Sequence, residues 1–417
     1  MTTHDVIVIG AGLAGLRAAT RLARAGRDVV VLEAADRVGG RERTDVVDGF
    51  LLDLGFHVLN PAYPAVRRWA DVDDLDLRAF PVGVRVRRER TTAELRHPLR
   101  SPGSIPRTLR SRMVRPRDLV ALARWAGPAL LSPQRVIAGD DRTLRAGWNR
   151  AGVHGPLRTE VLEPFLAGVI ADDSGMTSDA FVRLLIRMFA LGTPGLPASG
   201  IEALPRQLAD RARRAGADIR LSRRATDVRR AARGVEVNTD GADTVTARDV
   251  VVAVGPDVVA DLIDVPRPAT KGLQTWWFST DAAAPASALL SVDGRRRGPI
   301  VNTAVMSHTV PEYAPPGRAL VQATCLLPRD PGSRATETAV RTQLGLIWND
   351  ADVPAWQLIR RDDLPDALPA QPAPLRTTSP PRISEHVYVA GDHRDTASIQ
   401  GALVSGDRVA RALLADR

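Results

Sequence analysis

The 417-residue sequence predicts an α/β fold: a parallel, doubly wound sheet interrupted by an inserted α+β region. Three observations predict it. The chain opens on a complete strand, glycine turn, helix and strand. A second apolar strand, Asp249 to Gly255, lies past the middle, and a third, Val387 to Val389, precedes the C-terminal helix. Strands this far apart in sequence make one sheet only if the intervening chain leaves it and returns.

Asp5-Val6-Ile7-Val8-Ile9 is a short apolar run of the sort buried on both faces of a parallel sheet. Gly10-Ala11-Gly12-Leu13-Ala14-Gly15 follows directly, then a helical stretch from Leu16 to Ala25 that stops at Gly26. Asp28 to Leu32 is the second strand, closed by Glu33, about 20 residues beyond the glycines. Each residue type has a physical task. Gly10 permits the tight turn, Gly12 lets a diphosphate approach the backbone, and Gly15 allows helix to pack closely on strand. The free N–H groups of the first helical turn attract phosphate. Glu33 suits the hydroxyls of an adenosine ribose and disfavours a 2′-phosphate.

After Glu33, Ala34 and Ala35 comes Asp36-Arg37-Val38-Gly39-Gly40-Arg41, a second glycine turn followed by a cation suited to phosphate. With this element the sequence resembles the flavoprotein superfamily of amine oxidases and phytoene-desaturase-like carotenoid enzymes, and within it the desaturase-like branch. The resemblance implies a Rossmann-type, glutathione-reductase-like domain that binds FAD. It also places Leu13, Ala14 and Ala34 against the cofactor. Ala225-Thr226-Asp227-Val228 resembles the strand that touches adenine, through Val228. Gly391-Asp392 resembles the pair that holds the ribityl chain, and Ser398-Ile399-Gln400-Gly401-Ala402 the helix start beside the flavin, with Ser398, Ile399 and Ala402 in contact. The implied cofactor domain is discontinuous, residues 1–60, 205–260 and 385–417. Residues 61–204 and 261–384 form the substrate-binding domain. The Pro-rich stretch Leu364 to Pro381 reads as an extended crossover between them.

Asp53-Leu54-Gly55-Phe56-His57 resembles the segment beside the reactive face of the flavin, with Gly55, Phe56 and His57 at the cofactor. The imidazole of His57 titrates in a range suited to proton transfer, and His393 is a second catalytic candidate; buried imidazoles also serve simply to satisfy backbone groups. Trp276 and Trp277 are candidate substrate contacts, or else core aromatics. The aromatic cage of amine oxidases has no counterpart, since the position three residues before Gly401-Ala402 is Ser398. No cysteine lies near the C-terminal motif to link flavin covalently, so non-covalent FAD is expected, and no metal site is evident.

The implied activity is desaturation of a hydrophobic substrate, with three rivals: an FAD-dependent amine oxidase, a flavin-requiring polyene isomerase, and a lipid-binding escort protein on the same scaffold. No second GxGxxG unit follows, so oxygen or a quinone is the expected electron acceptor in place of NADP. Composition excludes other classes. The apolar fraction of 44% suits a globular protein, and no apolar run is long enough to span a bilayer. The single cysteine, Cys325, forms no internal disulfide, and a cytoplasmic location is expected. The net charge of +9 comes almost wholly from arginine, because Lys271 is the only lysine. Eleven arginines from Arg85 to Arg117 face only Glu89 and Glu94, an arrangement suited to peripheral contact with anionic lipid. Nucleic acid is not expected, since no aromatics interleave the charge.

Overall fold

A computed structural model describes residues 3–416 apart from 98–100, 102, 104, 105, 107–109, 112, 233, 242, 282, 283 and 351. Its first sheet runs Ala225–Ala231, Gly234–Thr239, Thr244–Val252, Thr3–Ile9, Val29–Leu32 and Asp218–Arg220 in spatial order. Thr244–Val252 is long enough to serve two partners on one edge. Its first half pairs antiparallel with Gly234–Thr239, and its second half pairs parallel with Val387–Val389. The N-terminal strand lies between Thr244–Val252 and Val29–Leu32, parallel to both. It is fully buried from Val6 to Ile9, as a two-sided strand must be.

The first helix spans Leu13–Arg24, one turn earlier than the pattern from Leu16 suggests, because the glycine turn runs straight into helix with Gly12 as N-cap. It is sandwiched by Ala203–Arg214 and by the last helix, Ile399–Ala415. That last contact is close. A side chain at Gly406 would collide with the Ala14 carbonyl oxygen. The Arg17 guanidinium donates to Asp407 across the same seam, and both groups are buried.

The second sheet has seven strands, in the order Gln357–Pro369, Thr270–Asp281, Arg318–Leu326, Ile300–Val305, Leu290–Asp293, Gly83–Arg87 and Thr92–Arg96. It is antiparallel except where Leu290–Asp293 runs parallel to Gly83–Arg87. Helices Pro116–Leu131, Leu144–Ala151, Glu163–Ile170 and Asp179–Leu191 build a separate core around Trp125, Trp148 and Phe181. The expected crossover is corrected in part: Leu364 to Pro369 completes a strand paired with Thr270–Asp281, since its backbone finds a full ladder there. Only the residues from Ala370 to Pro381 lie outside regular structure.

The arginine-rich segment is less free than its composition implies. Arg88 pairs with Glu160, Arg96 with Glu94 and Arg115 with Asp118, while Arg85 lies over the Trp348 ring. Arg100, Arg107 and Arg112 lie outside the described residues. Among the described residues no helix is long and apolar enough to cross a membrane.

Candidate active site

The glycine turn does what its spacing demands. Gly10 has φ +100°, and a Cβ there would press on the Ala253 carbonyl oxygen at 2.8 Å. At Gly15 a Cβ would collide with the Gly10 carbonyl. Gly12 differs, with nothing within 4 Å of where its Cβ would stand. Its constraint is therefore not the fold. As N-cap it offers no side-chain acceptor, and the first turn of the helix carries no acid, so the amides there await an anion. The second glycine turn closes over the first: the Gly39 amide donates to the Ala11 carbonyl at 3.0 Å, and Gly40 packs against the Gly12 backbone.

The Glu33 carboxylate is buried and accepts from the Ala11 amide at 2.6 Å and the Ala35 amide at 2.9 Å. Each oxygen keeps a lone pair for a further donor. Val228 lies on an edge strand of the same sheet, paired with Val237. Arg41 has a different partner from the phosphate suggested by sequence. It donates to Asp392 at 2.5 Å and to the Ala367 carbonyl at 2.8 Å, so the two cofactor candidates from opposite ends of the chain meet. The Gly391 amide donates to Ser405, and Ser398 caps the last helix by accepting from the Gly401 amide at 3.1 Å. The backbone around Gly12, the open lone pairs of Glu33 and the Asp392 carboxylate fit a dinucleotide, and these residues, with Leu13, Ala14, Ala34, Ile399 and Ala402 on the same elements, would hold FAD.

Beside these residues lies a half-buried charge cluster. Gly55 has φ +93°, and the Thr275 hydroxyl and His57 ring stand around it. Phe56 packs edge-on against Phe80. The His57 Nδ1 lies 3.2 Å from the Glu42 carboxylate, and Nε2 lies 2.9 Å from the Leu54 carbonyl oxygen. The carboxylate beside Nδ1 and the carbonyl at Nε2 both favour the imidazolium. Burial opposes that charge, but Glu42, Asp53 and the Leu54 carbonyl prevail and raise its pKa to about 9. The shift is upward, away from the near-neutral range expected for proton transfer at His57. Burial also opposes the Glu42 charge, yet His57 and Arg41 hold its carboxyl below the usual range. Burial raises the Asp53 pKa, although Thr44, Tyr313 and the Ile201 amide all donate to it. Glu42 and Tyr313 escaped sequence reasoning. Glu42 had a signal in hindsight, an acid directly after the Gly-Gly-Arg turn, whereas Tyr313 arrives from a distant loop with no motif around it.

His393 is placed differently. Both ring nitrogens are buried without a partner, and burial depresses its pKa to about 4 despite the adjacent Asp392. It is a neutral ring wedged against Gly391. Trp276 and Trp277 point to opposite faces of their strand. Trp276 stacks on Phe278 in a separate core, on the face opposite Trp277, since strand neighbours alternate faces. Trp277 shares the face of Thr275 and donates to Asp362 at 3.1 Å.

A family model described as flavin containing amine oxidoreductase matches residues 13–414. The chain belongs to that family. Membership makes it an oxidoreductase and implies FAD as its cofactor. Hydroxysqualene dehydroxylase of Rhodopseudomonas palustris is 29% identical over 99% of both chains. Putrescine oxidase of Kocuria rosea is 49% identical, but over 18% of this chain and 16% of its own length. Among solved structures, a putative protoporphyrinogen oxidase from Exiguobacterium superposes with TM-score 0.73 at 19% identity over the whole of both chains. Putrescine oxidase bound to putrescine superposes with TM-score 0.68 at 18% identity over 99% of each. The fold is thus that of the family's FAD-binding oxidoreductases, with mixed sheets and an inserted substrate region. These relatives include several amine oxidases and do not single out a phytoene-desaturase-like branch.

Proposed function

We propose that this family member dehydrogenates an apolar organic substrate, with oxygen or a quinone as final acceptor. The observation that carries the reading is the start of the last helix, where Ser398 follows buried Ala397 and presents no aromatic ring. Where amine oxidases of the resemblance place an aromatic ring, Ser398 is occupied with capping its own helix. Without that ring the helix start lacks an aromatic face to hold an amine cation. The full-length likeness to hydroxysqualene dehydroxylase supports an isoprenoid-like substrate.

FAD, when bound without a covalent link, supplies the two-electron acceptor for a departing hydride. The chain's own residues do the rest. Residues 1–60, 205–260 and 385–417 form the cofactor-binding unit, with residues 61–204 and 261–384 as the substrate unit. Gly12 and the first-turn amides bind diphosphate, Glu33 orients a ribose, and Asp392 orients the ribityl chain. His57, held by Glu42, keeps a positive charge next to Gly55, where it stabilises negative charge gained on reduction. Trp277 and Leu364 exclude water from that side.

Amine oxidation is the second reading, favoured by the local 49% identity with putrescine oxidase. Anaerobic titration separates the two. Isoprenoids should bleach the flavin absorbance band, whereas bleaching by putrescine and other amines but by no lipophilic compound would establish the second reading.

A further inference from the structure

The helical part of the chain carries an apolar surface that its own packing leaves uncovered. Among the described residues nine large apolar side chains are exposed, and five of them crowd into a short stretch: Leu119, Val120, Leu130, Leu131 and Ile137. They belong to helix Pro116–Leu131 and to the short helix Pro133–Ala138 that follows it. Single exposed apolar residues are ordinary, but a contiguous group marks a contact surface.

Helical geometry gathers the first four onto one side. At 3.6 residues per turn, Leu119, Val120, Leu130 and Leu131 share a sector about 120° wide. Ala121 and Trp125 occupy the opposite side and are buried in the core around Trp148 and Phe181, which fixes the helix with its apolar ridge outward. Exposed Leu191 extends the ridge, because Arg187, one turn before it, donates to the Ala129 carbonyl at 3.2 Å.

The charge on this side has one sign. Arg117 and Arg124 run along one flank of the apolar sector, Arg135 follows on the next helix, and all three are exposed. Asp118 is the only acid from His97 to Gly139, and it is buried, accepting from the Arg115 amide at 3.0 Å. An apolar ridge edged by guanidinium groups and free of carboxylates complements a bilayer of anionic phospholipid. Its side chains can enter the boundary between headgroups and acyl chains while the arginines meet phosphate. A second copy of the chain fits poorly, since two such faces would set like charges against each other.

We propose that helix Pro116–Leu131 is the face by which the protein docks on an anionic membrane surface. The helix lies on the bilayer, and among the described residues none is long and apolar enough to cross it. The contact differs from the one suggested by the arginine run alone, because an apolar ridge forms its centre. It stands on exposure and charge, independently of the substrate.

Flotation of the FAD-loaded chain with lipid vesicles tests the proposal. The protein should float with vesicles containing phosphatidylglycerol, bind pure phosphatidylcholine at least about tenfold more weakly, and lose affinity as salt rises. Val120→Ser combined with Leu131→Ser alters side chains that are 69% and 88% exposed, so melting temperature and flavin absorbance should hold. Binding to the anionic vesicles should nevertheless fall at least about tenfold. Arg117→Gln combined with Arg135→Gln should weaken it about thirtyfold, the worth of two cations at such a surface. A polarity-sensitive fluorophore attached to Leu131→Cys should shift to the blue on binding, the native Cys325 being buried. No flotation with anionic vesicles, equal binding to neutral ones, an unshifted label, or binding that survives either double substitution overturns the proposal. So does a dimer that Leu131→Ser abolishes, which would assign the face to a second copy.

Discussion

At the residue scale, two histidines near the cofactor crevice are driven in opposite directions by their neighbours. His57 lies between a carboxylate and a carbonyl, and its pKa rises from 6.5 to about 9. Its contribution to stability is fully present below pH 6.5 and is lost as pH climbs through about 9. Glu42→Gln should bring the His57 titration midpoint well below its wild-type value, as followed by NMR of the ring protons, and should flatten the alkaline fall in melting temperature. A midpoint that stays near 9 would show that Glu42 is not the main source of the shift. His393 has a folded pKa of about 4, depressed by burial, so the unfolded chain binds its proton first as pH falls below 6.5. Stability from this residue is therefore lost between pH 6.5 and about 4. His393→Phe should shrink that acid limb of a melting-temperature profile, and an unchanged limb would contradict the burial argument. Neither behaviour was legible in sequence, where both residues are simply histidines near glycine motifs. The environment of each depends on groups brought from elsewhere in the fold.

At the element scale, the strands and the glycine turn were legible because period, composition and glycine spacing are local properties. The seam between the first and last helices was not, since its halves are nearly four hundred residues apart. Gly406 admits the Ala14 backbone, and Arg17 and Arg21 converge on buried Asp407. Gly406→Ala should cost about 1–3 kcal/mol through overpacking. Asp407→Ala should cost about 3–5 kcal/mol, because it leaves the largely buried Arg17 without its counter-charge. By contrast, the exposed Arg213–Asp210 pair is worth at most ~1 kcal/mol, and Arg213→Ala should change little. Denaturant unfolding of the three variants checks this order; a cost at Arg213 equal to that at Asp407 would refute it.

At the scale of the whole molecule, the chain ends build one sheet and the intervening segments build another, with the charged cluster of Arg41, Glu42, His57 and Asp392 where they approach. Sequence reasoning reached the first sheet, because a parallel buried strand is a plain apolar run. It reached the second only as a region rich in arginine and proline, since the pairing of seven mostly antiparallel strands is set by contacts that no local pattern records. It also read Trp276 and Trp277 as alike, whereas the strand pleat sends them into different cores. The central claim remains that the amides around Gly12 hold the diphosphate of FAD. Calorimetric titration of the cofactor-stripped chain with FAD tests it most directly, alongside Gly12→Ala, a substitution the fold has room to accept. The wild type should bind one FAD per chain, and the variant should melt at the same temperature without FAD yet bind it far more weakly. Equal affinity in the two proteins, or no FAD binding by the wild type, would contradict the account.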